Sequence, residues 1–215
     1  MLNGCLILTI SSPDNCAADF NQDGRVDLAT IRSGTSQLSL LLGSAPGLQP
    51  GAVLPVDAGP RALTVVDLNQ DGRPDLAVAS ETAKTVGLLL GDGAGGLTAA
   101  GALPVASPPW ALCTADVDGD GKPDLIAATS GPIVEILYGD GHGGVRERQT
   151  LALEEPSPFV VAGDFTGDGR ADLVTAGTRA ITLLVGDGRG GFVRGSRPET
   201  RSVPSAAAVA DACAH

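Results

Sequence analysis

A ten-residue motif, repeated four times, constrains the fold of this chain more than any other feature. The copies read DFNQDGRVDL from Asp19, DLNQDGRPDL from Asp67, DVDGDGKPDL from Asp116 and DFTGDGRADL from Asp164. Their first aspartates are 48 or 49 residues apart. A fixed period of this length is typical of proteins that stack one supersecondary unit many times. The chain is therefore predicted to be a repeat protein.

The sequence around each motif repeats as well. A proline precedes each copy by six or seven residues, and an apolar run follows it. A second apolar run then ends in glycine, and in three repeats it continues into a Gly-Asp-Gly-x-Gly-Gly segment, at 91–96, 139–144 and 186–191. The first repeat has a looser segment, Gly43–Gly47. These glycine-rich segments are predicted to be hairpin turns, because they lack the Lys-Ser/Thr pair and the helix of a phosphate-binding loop.

The apolar runs are predicted to be short β-strands. In the second repeat they cover Ala62–Asp67, Leu76–Ser80, Val86–Leu90 and Ala100–Val105. None reaches ten residues before a Gly or Pro breaks it, which excludes long helices. Alternation is weak, and this is typical of strands that are buried on both faces.

Four antiparallel strands in a unit of this length form the blade of a β-propeller. One such sheet cannot bury both faces alone, so neighbouring blades must stack. A β-solenoid is the main alternative, but its repeating unit is usually shorter. The predicted fold class is all-β, a β-propeller with four complete four-stranded blades plus partial end strands. The repeats are placed at approximately 13–59, 60–108, 109–157 and 158–203 of a single domain, 1–215.

The two ends of the chain align with single strands of a repeat. Residues 1–12 correspond to the closing strand of a preceding blade, and residues 204–215 to the opening strand of a following one. Either these strands join into a closing blade or the chain is a fragment of a longer propeller. The fragment is favoured, because two strands make a poor blade and leave edges exposed, which also offers a route to self-association.

The motif has the chemistry of a loop that binds a hard cation. Ca²⁺ takes six to eight oxygen ligands, and alternate side chains in a tight loop converge, so positions 1, 3 and 5 are expected to face one ion. Glycine at position 6 permits the positive φ of the turn. Position 7 can offer its backbone carbonyl, and the aspartate at position 9 would close the shell. The expected ligands are Asp19, Asn21, Asp23, Arg25 and Asp27; Asp67, Asn69, Asp71, Arg73 and Asp75; Asp116, Asp118, Asp120, Lys122 and Asp124; and Asp164, Thr166, Asp168, Arg170 and Asp172.

Four copies in register predict up to four bound Ca²⁺ ions, since the converging carboxylates of each loop would repel one another without a cation. Oxygen-only ligands disfavour zinc and copper, and Mg²⁺ is disfavoured by its stricter octahedral geometry. The third loop, with Asp118 at position 3, is expected to bind most tightly. The fourth loop, with the neutral Thr166 there, is expected to bind most weakly.

These motifs are similar to the FG-GAP/VCBS repeat, which combines the Asp-rich loop with a Leu-Leu-Gly strand end and a Gly-Asp-Gly-x-Gly turn. The resemblance covers residues 13 to about 192. It implies the seven-bladed propeller of integrin alpha subunits and of many bacterial secreted or surface proteins, with Ca²⁺ in the loop between the first two strands of a blade. It therefore carries the calcium role onto the four loops named above, and it implies an extracellular, cell-surface or periplasmic location.

Composition excludes several other functions. The net charge of −11 argues against nucleic-acid binding, and no segment is long and apolar enough for membrane insertion. The four cysteines have no metal-ligand spacing and are expected to be isolated, although the sequence leaves one disulfide possible.

The chain is expected to be a non-catalytic scaffold for adhesion or for an unidentified protein or carbohydrate ligand, with Ca²⁺ mainly structural. The alternative is a propeller-fold lyase or hydrolase, or the accessory domain of a larger secreted enzyme.

Overall fold

The computed structural model describes residues 15–32 and 34–195, and within these ranges the chain forms sixteen β-strands and no helix. The strands make four antiparallel sheets, each built from four consecutive strands in chain order. The predicted end strands, 1–12 and 204–215, lie outside the described residues. The predicted all-β propeller architecture is confirmed for the four sheets, which are called blades 1 to 4 below.

Each blade is described by the bounds of its strands. Blade 1 contains β1 (Asn15–Ala18), β2 (Asp27–Ile31), β3 (Gln37–Ser44) and β4 (Gly47–Pro55). Blade 2 contains β5 (Pro60–Val66), β6 (Asp75–Ser80), β7 (Thr85–Gly91) and β8 (Leu97–Pro104). Blade 3 contains β9 (Pro109–Ala115), β10 (Asp124–Thr129), β11 (Ile133–Gly139) and β12 (Val145–Ala152). Blade 4 contains β13 (Phe159–Gly163), β14 (Asp172–Ala176), β15 (Ile181–Gly186) and β16 (Phe192–Arg194).

All four strands predicted in the second repeat are present, with shifted ends. The largest shift is in β8, which begins at Leu97 instead of Ala100. Its pairing with β7 continues until Gly91 lies opposite Leu97, directly at the hairpin turn. The strand therefore includes polar and small residues that its apolar pattern did not mark.

Burial decreases from the middle of each blade to its last strand. Every residue of β6 and β10 is buried, as expected for strands that are covered on both faces. The fourth strands β4, β8 and β12 are mostly exposed. The first strands of consecutive blades contact one another. The inner edge of the molecule is therefore formed by β1, β5, β9 and β13.

The core consists of three apolar clusters, and each lies between two consecutive blades. The first joins blades 1 and 2 around Phe20 and Leu76, the second joins blades 2 and 3 around Leu68 and Leu125, and the third joins blade 3 to Leu173 of blade 4. Among the described residues, no cluster joins blade 4 back to blade 1. The four blades thus form an open arc.

No helix suited to crossing a membrane is found in the part of the chain that the structure describes.

Because neighbouring strands are antiparallel, the connections of a blade alternate between two faces. The motif loops, which join first to second strands, share one face with the turns that join third to fourth strands. This face is called the loop face. The connections between second and third strands lie on the opposite face.

Cys16 and Cys113 are free thiols, and burial raises the pKa of each to about 12.

Candidate metal loops

Each motif forms a tight loop between the first and second strand of its blade. The predicted positive φ at position 6 is confirmed in all four loops, at Gly24, Gly72, Gly121 and Gly169. A second left-handed residue, which the sequence analysis missed, stands at position 4. Here two loops use glycine, and two use glutamine; the residues are Gln22, Gln70, Gly119 and Gly167. The loop therefore turns twice within three residues.

Backbone hydrogen bonds orient the side chains at positions 1, 3 and 5. In the first loop the two oxygens of Asp19 accept from the N–H groups of Asp23 and Gly24, at 3.0 and 2.8 Å. Asn21 Oδ1 accepts from Asp23 N–H at 3.1 Å, and Asp23 Oδ1 accepts from Arg25 N–H at 2.9 Å. The last of these bonds holds the pKa of Asp23 below its usual value. The backbone of the loop thus holds the side chains at positions 1, 3 and 5 in place.

The same arrangement recurs in the other three loops. The position 1 aspartates Asp67, Asp116 and Asp164 accept from backbone N–H groups four and five residues ahead. In the fourth loop the N–H of Gly169 is the main cause of a lowered pKa of Asp164. The backbone therefore orients the position 1 aspartate in the same way in all four loops of the loop face.

The third loop brings three carboxylates together. Oxygen atoms of Asp116, Asp118 and Asp120 lie within 4.8 Å of one another, and no other group of three His, Cys, Asp or Glu side chains does so among residues 15–32 and 34–195. The other loops carry Asn21, Asn69 or Thr166 at position 3, and these side chains also offer oxygen. The donor chemistry of positions 1, 3 and 5 therefore fits a hard cation such as Ca²⁺.

The aspartate at position 9 has a different environment. Asp27, Asp75, Asp124 and Asp172 are all fully buried. In blade 3, Asp124 accepts from Val117 N–H at 3.0 Å through one oxygen and from Gly139 N–H at 2.9 Å through the other. These bonds join the start of the loop to the end of the third strand. The position 9 carboxylate is thus an internal clamp of its blade.

The same pair of bonds is present in each blade. The partners of Asp27 are Phe20 and Gly43, those of Asp75 are Leu68 and Gly91, and those of Asp172 are Phe165 and Gly186. Burial raises the pKa of Asp75, and it raises the pKa of Asp124 to about 6. Asp124 lies outside the three-carboxylate group of its loop. Its predicted role as a fifth metal ligand stays a prediction.

The structure explains why each third strand ends in glycine, which the sequence analysis did not. A Cβ atom at Gly91 would collide with the carbonyl oxygen of Pro74, at position 8 of the loop. Gly43, Gly139 and Gly186 face the corresponding carbonyls of Val26, Pro123 and Ala171 in the same way. Only glycine lets the third strand approach closely enough to donate its N–H to the buried aspartate.

Position 7 uses its side chain as well as its backbone. The sequence analysis expected only a carbonyl ligand there, and that role stays a prediction. In all four loops the cationic side chain pairs with the position 5 aspartate, at N···O distances between 3.2 and 3.7 Å. The pairs are Arg25–Asp23, Arg73–Asp71, Lys122–Asp120 and Arg170–Asp168. They are largely exposed, and such pairs contribute little to stability.

Each of the first three loops also contacts the next blade. The N–H of Gly95, in the turn of blade 2, donates to the carbonyl of Phe20 in loop 1 at 3.1 Å. Gly143 donates to Leu68 at 3.2 Å, and Gly190 donates to Val117 at 3.1 Å. The Gly-Asp-Gly-x-Gly-Gly segments are hairpin turns as predicted, since Asp92 N–H donates to Gly96 O and the Asp92 side chain accepts from the turn backbone. The turns of blades 2 to 4 thus cover the loops of blades 1 to 3.

Two further side chains with functional chemistry, His142 and Trp110, lie outside the motif loops. His142 is exposed in the turn of blade 3. Trp110 is half-buried at the start of β9, where its indole N–H donates to Glu81 Oε1 at 3.0 Å. Arg61 lies over the indole ring at 5.2 Å and donates to Glu81 Oε2 at 2.8 Å. This group joins blade 2 to blade 3.

Comparisons with known proteins match this architecture. Among solved structures, the chain is similar to BBS1N in complex with ARL6DN, from a lead-soaked crystal, with a TM-score of 0.67, 14% identity, and coverage of 91% of this chain and 59% of that chain. It is also similar to an Agrocybe aegerita lectin, described for specific recognition of non-reducing terminal N-acetylglucosamine, with a TM-score of 0.58, 18% identity, and coverage of 87% and 52%. The chain thus spans between half and three fifths of these proteins. At such identities the likeness shows the fold alone. No curated protein matches the chain.

The motif itself identifies the family. The model of the FG-GAP-like repeat matches residues 19–78, 67–127 and 116–175, and each match begins at the first aspartate of a motif loop. Together the three matches cover most of the chain. The protein belongs to the family of FG-GAP-like repeat proteins.

Proposed function

We propose that the chain is a non-catalytic, calcium-binding propeller segment in which Ca²⁺ is mainly structural. The observation that carries this proposal is the third loop, where three carboxylates have oxygen atoms within 4.8 Å of one another. The backbone bonds that orient its first and fifth positions recur in the other three loops. Like charges at this distance are costly unless a cation neutralises them. A bound Ca²⁺ would supply two positive charges and a rigid set of oxygen contacts in each loop.

The ligands proposed are the side chains at positions 1, 3 and 5, the position 7 carbonyl, and the second lone pairs of the position 9 carboxylate. The stabilising effect would extend beyond one blade, because the turn of the next blade is hydrogen-bonded to position 2 of the loop. Fixing a loop would therefore fix the junction of two blades.

An extracellular, cell-surface or periplasmic role follows from the same proposal, since the millimolar Ca²⁺ found outside cells fills even weak sites. We propose that the scaffold serves adhesion or binds a protein or carbohydrate ligand. The family membership supports this, and so does the lectin among the structural neighbours, although that likeness is one of fold. Function resides in particular sites on a fold, and the ligand is therefore left as a class.

The proposal is tested by melting the protein in excess Ca²⁺ and in chelator, with calorimetric titration of Ca²⁺ alongside. One site at 100 times its Kd adds about 2.7 kcal/mol, which is roughly 5–10 °C in Tm for a domain of this size. The matched control is a variant with asparagine at all four position 5 aspartates, Asp23, Asp71, Asp120 and Asp168. It should lose both the heat of binding and the Tm shift. No heat and no shift in the unaltered chain would refute the proposal. Calcium-dependent turnover in a screen of glycosides and esters would refute the non-catalytic role.

A further inference from the structure

The third loop has a partner that the other loops lack. Arg146, the second residue of β12, places a guanidinium nitrogen against the carboxylate of Asp118. The same nitrogen lies 3.5 Å from Asp120 Oδ2. Two of the three carboxylates that form the candidate calcium site are therefore already paired with a cation supplied by the same blade.

Arg146 is held in place from a second side. Its guanidinium carbon lies 5.1 Å from the centre of the Tyr138 ring, within the range of a cation–π contact. The Tyr138 hydroxyl lies 2.5 Å from Gln149 Oε1 on β12 and 3.2 Å from Gly190 O, which is in the turn of blade 4 that covers the third loop. The arginine is thus positioned by β11 as well as by the acidic loop.

The internal repeat shows that this pairing is specific to blade 3. The strand register places Val145 opposite Gly139, as Leu48, Leu97 and Phe192 lie opposite the corresponding glycines. The residues equivalent to Arg146 are therefore the uncharged Gln49, Thr98 and Val193. Position 3 is likewise uncharged in those three blades and is Asp118 only in blade 3. The extra negative charge and the extra positive charge occur together.

We propose that Arg146 is a built-in counter-cation of the third loop, which Ca²⁺ must displace in order to bind. This inference rests on the proposed calcium function. The Asp118 and Asp120 oxygens cannot serve the guanidinium and the metal fully at the same time. The third loop therefore binds Ca²⁺ less tightly than its four aspartates suggest, and it keeps its shape in the absence of the metal. Displacement of Arg146 also alters its contact with Tyr138, at the junction with blade 4.

The first test measures calcium affinity at the third loop alone. In a chain with Asp23→Asn, Asp71→Asn and Asp168→Asn, calorimetric titration reports on the remaining loop. Adding Arg146→Gln should tighten Ca²⁺ binding by up to about fivefold, the size expected when a partly exposed ion pair of about 1 kcal/mol no longer competes. Arg148→Gln is the matched control, because Arg148 lies on the same strand but donates to Pro104 O. An unchanged or weaker affinity after Arg146→Gln would overturn the inference.

A second test is made without metal and without the Asp→Asn substitutions in the other three loops. In chelator, Arg146→Gln in the otherwise unaltered chain should lower Tm, because the carboxylates of Asp118 and Asp120 lose the guanidinium that pairs with them. Asp118→Asn added to Arg146→Gln should restore part of this loss. Additive effects of the two changes would contradict the pairing. Absence of Ca²⁺ binding by the unaltered chain refutes the proposed function, whereas normal binding that Arg146→Gln does not change refutes only the role of Arg146.

Discussion

At the scale of single residues, the motif aspartates divide into two classes that the sequence does not separate. Positions 1 and 5 are at the surface and are oriented by the loop backbone, whereas position 9 is fully buried. Both classes were predicted as metal ligands, because spacing alone shows that oxygens converge. One of the two backbone donors that reach each position 9 carboxylate comes from the third strand, 14 to 16 residues further along the chain. Local spacing cannot reveal them.

The two classes should respond differently to truncation. Asp75→Ala leaves the buried N–H groups of Leu68 and Gly91 without acceptors, and we expect a loss of roughly 2–5 kcal/mol in the free energy of unfolding, even in chelator. Asp71→Ala removes an exposed member of the same loop and should cost less than about 1 kcal/mol in chelator. Urea unfolding monitored by circular dichroism measures both. Equal losses in chelator would show that position 9 is no more structural than position 5.

At the scale of elements, the strands and hairpin turns were predictable, because Gly and Pro bound each apolar run. The contacts between blades were not predictable, since they depend on which turn covers which loop. Trp110 illustrates this limit. It stands at the start of β9, and its partners Glu81 and Arg61 are 29 and 49 residues away in the sequence. Nothing in a strand pattern identifies such partners.

This contact between blades should depend on pH. The hydrogen bond from Trp110 and the contact with Arg61 hold the pKa of Glu81 below its ordinary value of 4.5. A lowered folded pKa means that the contact stabilises the protein above pH 4.5 and that this contribution is lost as pH falls through the folded pKa. Trp110 is the single tryptophan of the chain, so its fluorescence reports on the contact. We expect an emission change with a midpoint below pH 4.5.

Two variants control this measurement. Glu81→Gln should remove the emission change, because the amide does not titrate. Glu147→Gln, on the exposed strand β12, should leave it unaltered. A midpoint at or above pH 4.5, or the same transition in Glu81→Gln, would show that another group is responsible.

At the scale of the whole molecule, the four blades share one strand order, but equivalent residues differ in how far they are covered by a neighbouring blade. Position 2 of the loop shows this most directly. Phe20, Leu68 and Val117 are 1–2% exposed, because the turn of the next blade lies over each of them. Phe165, at the same position in blade 4, is 43% exposed. The sequence predicts the repeat and hence the common position, but the exposure of each side chain depends on which turn lies over it.

Phe20 and Phe165 therefore offer a matched pair of substitutions within one chain. Phe20→Ser removes a ring from the cluster between blades 1 and 2 and should cost about 3 kcal/mol or more. Phe165→Ser changes the same repeat position, over which no turn lies among residues 15–32 and 34–195, and surface changes usually cost about 0.5 kcal/mol or less. Urea unfolding of both variants, with the mass in solution measured by light scattering, checks the difference. If the losses are equal, Phe165 is covered in solution. A mass above that of one chain would then identify a second copy as the cover, and the open arc would not describe the isolated protein.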